Sequence, residues 1–181
     1  MKFHKDVVEK YHFRFESEDI IKIDRMTINL SGGSAVFLLD TENYILSVES
    51  DWGSYCYRWS ASKHETFKDL ICRIGSYDDY LLNKLANRNV INWKKTKQNA
   101  VHAFFRAGGG ENREENKNFL RAVKDADENE IRFYDLVCSF KSNLWEGGFF
   151  VKEYPTSAKI VVKILAEYLV KTLQSESGNN G

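Results

Sequence analysis

The first third of the chain contains short segments in which apolar and polar residues alternate. This period of two is typical of a β-strand with one buried face. The connections between the segments are short, and one of them, Ser31 to Gly33, contains glycines that suit a hairpin turn. Because parallel strands need much longer connections, we expect an antiparallel meander. The predicted strands cover residues 11–15, 25–30, 35–39, 44–50 and 54–60.

Beyond residue 60 the apolar residues recur every three to four positions, as on the buried face of a helix. Thr66 or Ser62 can cap the first helix, and Asp78 and Asp79 fall in the first turn of the second, where the helix dipole favours negative charge. Helices are predicted over 67–74, from about 78, and over 93–107, 113–125, 130–140 and 156–173, with an edge strand or loop at 147–153. Strands followed by helices indicate an α+β fold: an N-terminal antiparallel β-meander of about four to five strands, covered by C-terminal helices.

The length of 181 residues suits one domain with a hydrophobic core, and no linker divides the chain. We expect a single α+β domain over residues 1–174 and a disordered tail over 175–181, which lacks apolar anchors. The 26 basic and 26 acidic side chains balance. Because the net charge is zero, the electrostatic field of the whole protein does not attract a charged partner. Such a partner must therefore bind a local cluster of charged side chains.

The three cysteines, Cys56, Cys72 and Cys138, are widely separated and form neither a CxxC pair nor a zinc-binding spacing. We interpret them as reduced thiols. The N-terminal residues lack the apolar core of a signal peptide, and no apolar run reaches the roughly 18 residues of a membrane helix. We therefore expect the protein in the cytoplasm of a bacterial host cell.

The segment DWGSYCYRWS, residues 51–60, is rich in aromatic side chains. In a strand, Tyr55, Tyr57 and Trp59 share one face. They either form part of the core under the helices or offer a platform on which the bases of a single-stranded nucleic acid stack. Stacking needs a basic surround, and no Lys or Arg lies between positions 40 and 51. The core interpretation is therefore favoured.

Acidic residues crowd the same strands and turns, and a tryptophan lies at a turn among them. This surface would repel phosphate but would suit a basic groove on another protein, with the tryptophan as an apolar anchor. A solvated turn that aids solubility is the competing interpretation. The predicted partner-binding residues are Asp40, Glu42, Glu49, Asp51 and Trp52.

The densest basic stretch contains Lys94, Lys95 and Lys97 at the predicted start of a helix, whose N-terminus adds its own positive end. These lysines either bind a phosphate or an RNA backbone, or form an ordinary solvated helix start. The glycines at 108–110 follow a helix and lack the strand and the GK-Ser/Thr ending of a phosphate-binding loop. We interpret them as a helix C-cap and a flexible loop.

No catalytic motif is recognised. The four histidines show no metal-ligand spacing, and no nucleophile elbow is present. A thiol dyad of Cys56 or Cys72 with His64 or His102 stays open, as does a metal-dependent nuclease built on pairs of acidic residues. We expect no cofactor and no bound metal.

The combination of DWGSYCYRWSA with FKDLICRIGSYDDYLLNKLA resembles a recurrent segment in small uncharacterised proteins of phages and other mobile elements. As a whole, this short, Lys/Glu-rich chain without enzyme motifs resembles the anti-CRISPR inhibitors of type II systems. The resemblance implies a counter-defence protein that binds Cas9, or Cas9 with its guide RNA, and blocks target recognition or cleavage. The acidic cluster would suit a basic groove of Cas9, and the lysines an RNA contact. The alternatives are an RNA-binding or protein-interaction module with an unknown partner, and a cryptic nuclease acting on guide RNA.

Overall fold

In the computed structural model of the chain, the first third forms an antiparallel sheet of five strands. The strands lie in the sheet in their order along the chain, so each pairs with the next through a connection too short for a parallel crossover. They are β1 Lys5–His12, β2 Ile23–Leu30, β3 Gly33–Asp40, β4 Ile45–Ser50 and β5 Tyr55–Arg58. The structure describes residues 5–12, 23–61, 64–141 and 148–177, and for residues 5–12, 176 and 177 it describes the backbone alone.

Helices make up most of the rest of the described chain. They are α1 Phe67–Ile74, α2 Asp78–Leu85, α3 Trp93–Arg106, α4 Arg113–Asp125, α5 Glu130–Phe140, α6 Thr156–Ile164 and α7 Val170–Ser177. A π-helical segment, Leu165–Leu169, joins α6 to α7. A further pair of short antiparallel strands, β6 Val90–Ile91 and β7 Lys152–Glu153, brings together residues far apart in sequence. The predicted α+β fold is confirmed.

The predicted first strand, over residues 11–15, lies further along the chain than β1 does. Residues 13–15 fall outside the described residues, while the backbone of residues 5–12 pairs with β2. The register places Lys10 opposite Met26. The position of this edge strand therefore follows from pairing with its neighbour, which a local alternation pattern does not reveal.

The described residues divide into two compact units. Unit 1 contains the described residues up to Asn87 and from Tyr154 onward, and unit 2 is Arg88–Glu153. Each unit has its own apolar cluster. The single domain over residues 1–174 stays a prediction. The last helix ends at Ser177, three residues into the segment predicted as a disordered tail, and residues 178–181 lie outside the described residues.

In unit 1 the core lies between one face of the sheet and the helices α1, α2, α6 and α7. Strand register places Met26 opposite Phe37, Phe37 opposite Val48, and Val48 opposite Tyr55. This row of apolar side chains crosses four strands on one face, because side chains on a strand alternate between its two faces. The helices contribute leucine, isoleucine and valine side chains to the same cluster.

The aromatic row of residues 51–60 lies on this core face. Trp59 is buried, and Tyr55 and Tyr57 are half-buried and pack against the unit 1 cluster. Arg58, on the opposite face of the strand, is exposed. The core interpretation of the row is confirmed.

In unit 2 the helices α3, α4 and α5 surround a core of phenylalanines and small apolar side chains. An asparagine precedes each helix, and its side-chain oxygen accepts backbone N–H bonds from the first turn: Asn92 from Lys95, Asn112 from Glu114 and Glu115, and Asn129 from Arg132. These side chains satisfy donors that have no partner within the helix. The starts of all three helices are therefore defined by local sequence.

Glycines 108–110 end α3, as predicted. Gly108 N donates to Phe105 O and Gly109 N to Phe104 O, over 3.1 and 2.9 Å, which is a Schellman cap with Gly108 at φ +95°. The loop itself is held, in contrast to the flexible loop we expected. Lys141 Nζ donates to the carbonyls of Ala107 and Gly109, and Gly110 N donates to Asn116 Oδ1 over 2.9 Å.

Among the described residues, no helix combines the length and the apolar character needed to cross a bilayer.

Candidate functional site

A groove of about 810 Å³ opens in unit 1 where α1 gives way to α2. Two strongly exposed aromatic side chains line it: Tyr77 is 61% exposed and Tyr80 is 40% exposed. Between them in sequence lie Asp78 and Asp79, which also line the groove. The remaining lining residues are Leu70, Arg73, Ile74 and Ser76. The groove thus has an apolar floor, two exposed rings and two carboxylates.

The backbone between the helices determines where these side chains lie. Gly75 N donates to Ile71 O over 2.9 Å and ends α1. Tyr77 then occupies the N-cap position of α2 but makes no side-chain capping bond. Ser, Thr, Asp and Asn are preferred at that position because they satisfy the first helical N–H groups. A tyrosine there gives up that stabilisation, and such local costs are expected at functional sites.

The aromatic row supports one wall of the groove. Trp59 Nε1 donates to the hydroxyl of Tyr80 over 3.2 Å. Lys84 Nζ donates to the hydroxyl of Tyr57 over 3.1 Å and lies 5.5 Å from the centre of the Tyr80 ring. The hydrogen bond to Tyr57 raises the pKa of Lys84. The fold therefore brings the two segments DWGSYCYRWSA and FKDLICRIGSYDDYLLNKLA into contact.

The charge of the groove is acidic. Arg73 forms two hydrogen bonds with Glu65, of 3.1 and 2.7 Å, and this interaction lowers the pKa of Glu65. The guanidinium charge is thereby matched by a carboxylate. Asp78 and Asp79 are exposed, and within the described ranges neither forms an ion pair. The sequence assigns both to a helix start, and as adjacent acidic residues they also belong to the acidic pairs of the nuclease interpretation. The sequence feature that could have identified them as site residues is their position between Tyr77 and Tyr80.

The predicted acidic surface is divided between the two ends of the sheet. Asp40 is the last residue of β3, and Glu42 follows in the next turn, whereas Asp51 lies beside Ser34 near the start of β3. Asp40 lies six positions beyond Ser34 along β3, which is roughly 20 Å at about 3.3 Å per residue. Glu49 and Trp52 lie with Asp51 at the second end. The five residues therefore do not form one surface, although each end stays a predicted partner-binding site.

Two of these carboxylates hold turns together. Asp40 Oδ1 accepts the backbone N–H groups of Glu42 and Asn43 over 3.2 and 3.0 Å. Asp51 Oδ2 accepts the N–H of Ser34 over 2.6 Å and its hydroxyl over 3.2 Å, which ties the β4–β5 turn to the start of β3. Each therefore has a role inside the fold that does not need a partner.

Replacing Asp51 by alanine is expected to lower the free energy of unfolding by about 1–2 kcal/mol, because two hydrogen bonds to a charged acceptor are lost. Glu42→Ala is the matched control, since Glu42 is exposed in a turn and should change stability by less than about 0.5 kcal/mol. Urea unfolding followed by circular dichroism measures both. An Asp51 variant as stable as the Glu42 variant would contradict the structural role.

The three predicted phosphate-binding lysines have different surroundings. Lys97 Nζ donates to the carbonyls of Lys124 and Ala126 over 3.1 and 2.8 Å, at the end of α4. Lys95 forms an ion pair with Glu153 over 2.9 Å. Lys94 is exposed. The nucleic-acid role of the triplet stays a prediction, and two of its members already have partners within unit 2.

The cysteines are unpaired thiols in the structure, with Cys56 exposed and Cys72 and Cys138 half-buried. Burial, with a smaller contribution from Asp69, raises the pKa of Cys72 and so disfavours its nucleophilic thiolate. In the part of the chain that the structure describes, no three His, Cys, Asp or Glu side chains gather as a metal site would require.

A family model named Phage_phiTE_072 and described as a phage family matches residues 9–175, which is most of the chain. No curated protein and no solved structure matches the chain.

Proposed function

Since the chain belongs to this phage family, we propose that it is a counter-defence protein that binds a basic host protein through the α1–α2 groove, in the cytoplasm of the bacterial host. We propose Cas9, alone or with its guide RNA, as that partner. The observation that carries the proposal is the groove itself, in which the exposed rings of Tyr77 and Tyr80 flank the exposed carboxylates of Asp78 and Asp79.

The chemistry of the groove suits a partner surface that normally holds phosphates. Carboxylates of Asp78 and Asp79 can meet the lysines and arginines of such a surface, and electrostatic complementarity of this kind promotes association and selects the partner. Guanidinium groups also pack favourably against tyrosine rings. Tyrosine is among the residues that contribute most to binding energy at protein interfaces.

Cas9 fits this chemistry because it holds the guide–target duplex in a positively charged channel. The resemblance of the chain to anti-CRISPR inhibitors of type II systems supports the same partner. A phage protein that occupies the channel, or a neighbouring basic surface, would prevent target recognition without a catalytic step. Exclusion of target DNA is then the expected effect on Cas9.

Co-purification with guide-free and guide-loaded Cas9 tests the proposal. The double charge reversal Asp78→Lys/Asp79→Lys should weaken binding about tenfold or more, since two favourable charge contacts become repulsive. Glu111→Lys/Glu128→Lys is the matched control: it changes net charge equally at two exposed unit 2 residues and should leave binding unchanged. An equal loss in both variants would show that net charge, and not the groove, determines binding.

Two further measurements separate the alternatives. Glu42→Lys reports on the predicted acidic turn, and a loss of binding in this variant alone would move the interface there. Sizing of the guide RNA before and after incubation tests the nuclease interpretation, because a binding protein leaves the guide intact. No binding to either form of Cas9 would remove Cas9 as the partner.

A further inference from the structure

We propose that unit 2 binds single-stranded nucleic acid through one face of α3 and α4. We call this the cationic face; it contains no residue of the α1–α2 groove and shares only Lys94 with the lysine triplet considered above. It consists of Lys94, Gln98, Val101 and Phe105 on α3 and of Arg113, Lys117, Leu120 and Lys124 on α4. The inference does not depend on Cas9 as a partner.

The α3 side of this face is defined by contacts on either flank of the helix. Lys97 reaches the carbonyls at the end of α4, and Trp93 packs edge-on against Phe133 of α5, with ring centres 5.6 Å apart. The side of α3 next to α4 is therefore the side of Lys97. Lys94, Gln98, Val101 and Phe105 follow at intervals of four, three and four residues, so they form one stripe along that side.

The α4 side is defined in the same way. Asn116 accepts a hydrogen bond from Gly110, just beyond the end of α3, whereas Ala122 lines a small cavity with Phe133 and Leu136 of α5. The side of α4 next to α3 is therefore the side of Asn116. Arg113, Lys117, Leu120 and Lys124 repeat the spacing of four, three and four residues on the solvent flank of that side.

The face is cationic because few carboxylates neutralise it. No Asp or Glu occurs in the fourteen residues of α3. Lys94, Arg113 and Lys124 are exposed, and none of them forms an ion pair with another described residue. Lys117 has one acidic neighbour, Glu114, at 3.7 Å. Arg113 and Lys124 are eleven residues apart, about 17 Å along the helix, a length that spans several phosphates of one strand.

Exposed apolar side chains lie within the same face. Phe105 is 45% exposed and Leu120 is 42% exposed. The Phe105 ring packs edge-on against Phe104, with centres 5.3 Å apart. An exposed ring among cations is the arrangement on which unpaired bases stack while the cations bind phosphates. Bases in a duplex are already stacked, so a single strand is the ligand that this surface fits.

Fluorescence anisotropy with short labelled DNA and RNA single strands, from about 50 to about 200 mM salt, tests the inference. The logarithm of the association constant should fall with the logarithm of salt with a slope of about −2, as three phosphate contacts predict. Arg113→Glu/Lys124→Glu should weaken binding about tenfold or more. The control Arg132→Glu/Lys152→Glu reverses two cations on α5 and β7 and should bind like the unaltered protein.

The contribution of the Phe105 ring to nucleic-acid binding is tested with a matched pair of variants. Phe105→Ser should weaken binding severalfold, whereas Ile131→Ser, which removes an even more exposed apolar side chain from α5, should not. Equal losses in both charge-reversal variants, no salt dependence, or tighter binding of duplex than of single strand would overturn the inference. Binding of polyglutamate in place of oligonucleotides would identify an acidic protein partner and also overturn it. The Asp78→Lys/Asp79→Lys variant should keep oligonucleotide binding, so failure of one proposal is distinguishable from failure of the other.

Discussion

Phe104→Ala is expected to lower the free energy of unfolding of unit 2 by about 3–5 kcal/mol. Phe104 is fully buried and its ring stacks on that of Phe119, with centres 3.8 Å apart and planes within 15°. Removing the ring leaves a cavity between α3 and α4 and ends the favourable contact with Phe119. Native-state hydrogen exchange of the amides in the two helices measures the loss directly.

The neighbouring residue supplies the control. Phe105→Ala removes the same number of atoms from a ring that is 45% exposed and should cost less than about 1 kcal/mol. Similar losses for Phe104 and Phe105 would show that α3 is rotated relative to its position in the structure. The comparison therefore also checks the orientation of the cationic face, which depends on Phe104 pointing inward and Phe105 outward.

Gly75→Ala is expected to destabilise unit 1 by about 2–3 kcal/mol. A Cβ atom at this position would lie 2.2 Å from Cγ2 of Val170 and 2.9 Å from the carbonyl oxygen of Ile71. The first distance is far below van der Waals contact, so α1 and α7 must move apart. The backbone dihedrals of Gly75 are ordinary helical ones, which means that lack of space, and not backbone strain, requires glycine here.

A second substitution tests that explanation. Val170→Ala removes the clashing methyl group, so the double variant Gly75→Ala/Val170→Ala should be more stable than the sum of the two single losses predicts. Ser76→Ala, at the exposed adjacent residue, should change stability by less than about 0.5 kcal/mol. Strict additivity in urea unfolding would contradict the proposed contact. Because Gly75 lies two residues before Tyr77, the single variant should also weaken binding to a partner in the α1–α2 groove.

Local patterns predicted the helices well because their signals lie within a few residues. Helices α4 and α5 have the predicted bounds, 113–125 and 130–140. The predicted cap at Thr66 is present as a capping box with Asp69, whereas Ser62, the alternative, lies outside the described residues. Each of these features depends on a cap residue and a spacing of apolar positions, which a sequence displays directly.

Pairing between distant segments was harder to predict. The strands β6 and β7 are two residues each, and their partners are separated by about sixty positions, so neither has a pattern of its own. For residues 147–153 the sequence predicts either an edge strand or a loop. In the same way, β1 is positioned by its register with β2. Strand pairing of this kind depends on contacts between segments that are distant in the chain, and it produces no periodic pattern in the sequence.

The sequence by itself determined the fold class, most helix bounds and the apolar face of the sheet, because periodicity and capping are local properties. Only the tertiary structure decided which charged residues are available to a partner. Asp51 and Lys97 are committed to hydrogen bonds with residues 17 or more positions away, whereas Asp78, Asp79 and Lys94 project into solvent. The sequence does not distinguish a charged side chain that is hydrogen-bonded inside the fold from one that is exposed to solvent. The difference depends on which distant elements pack beside that side chain.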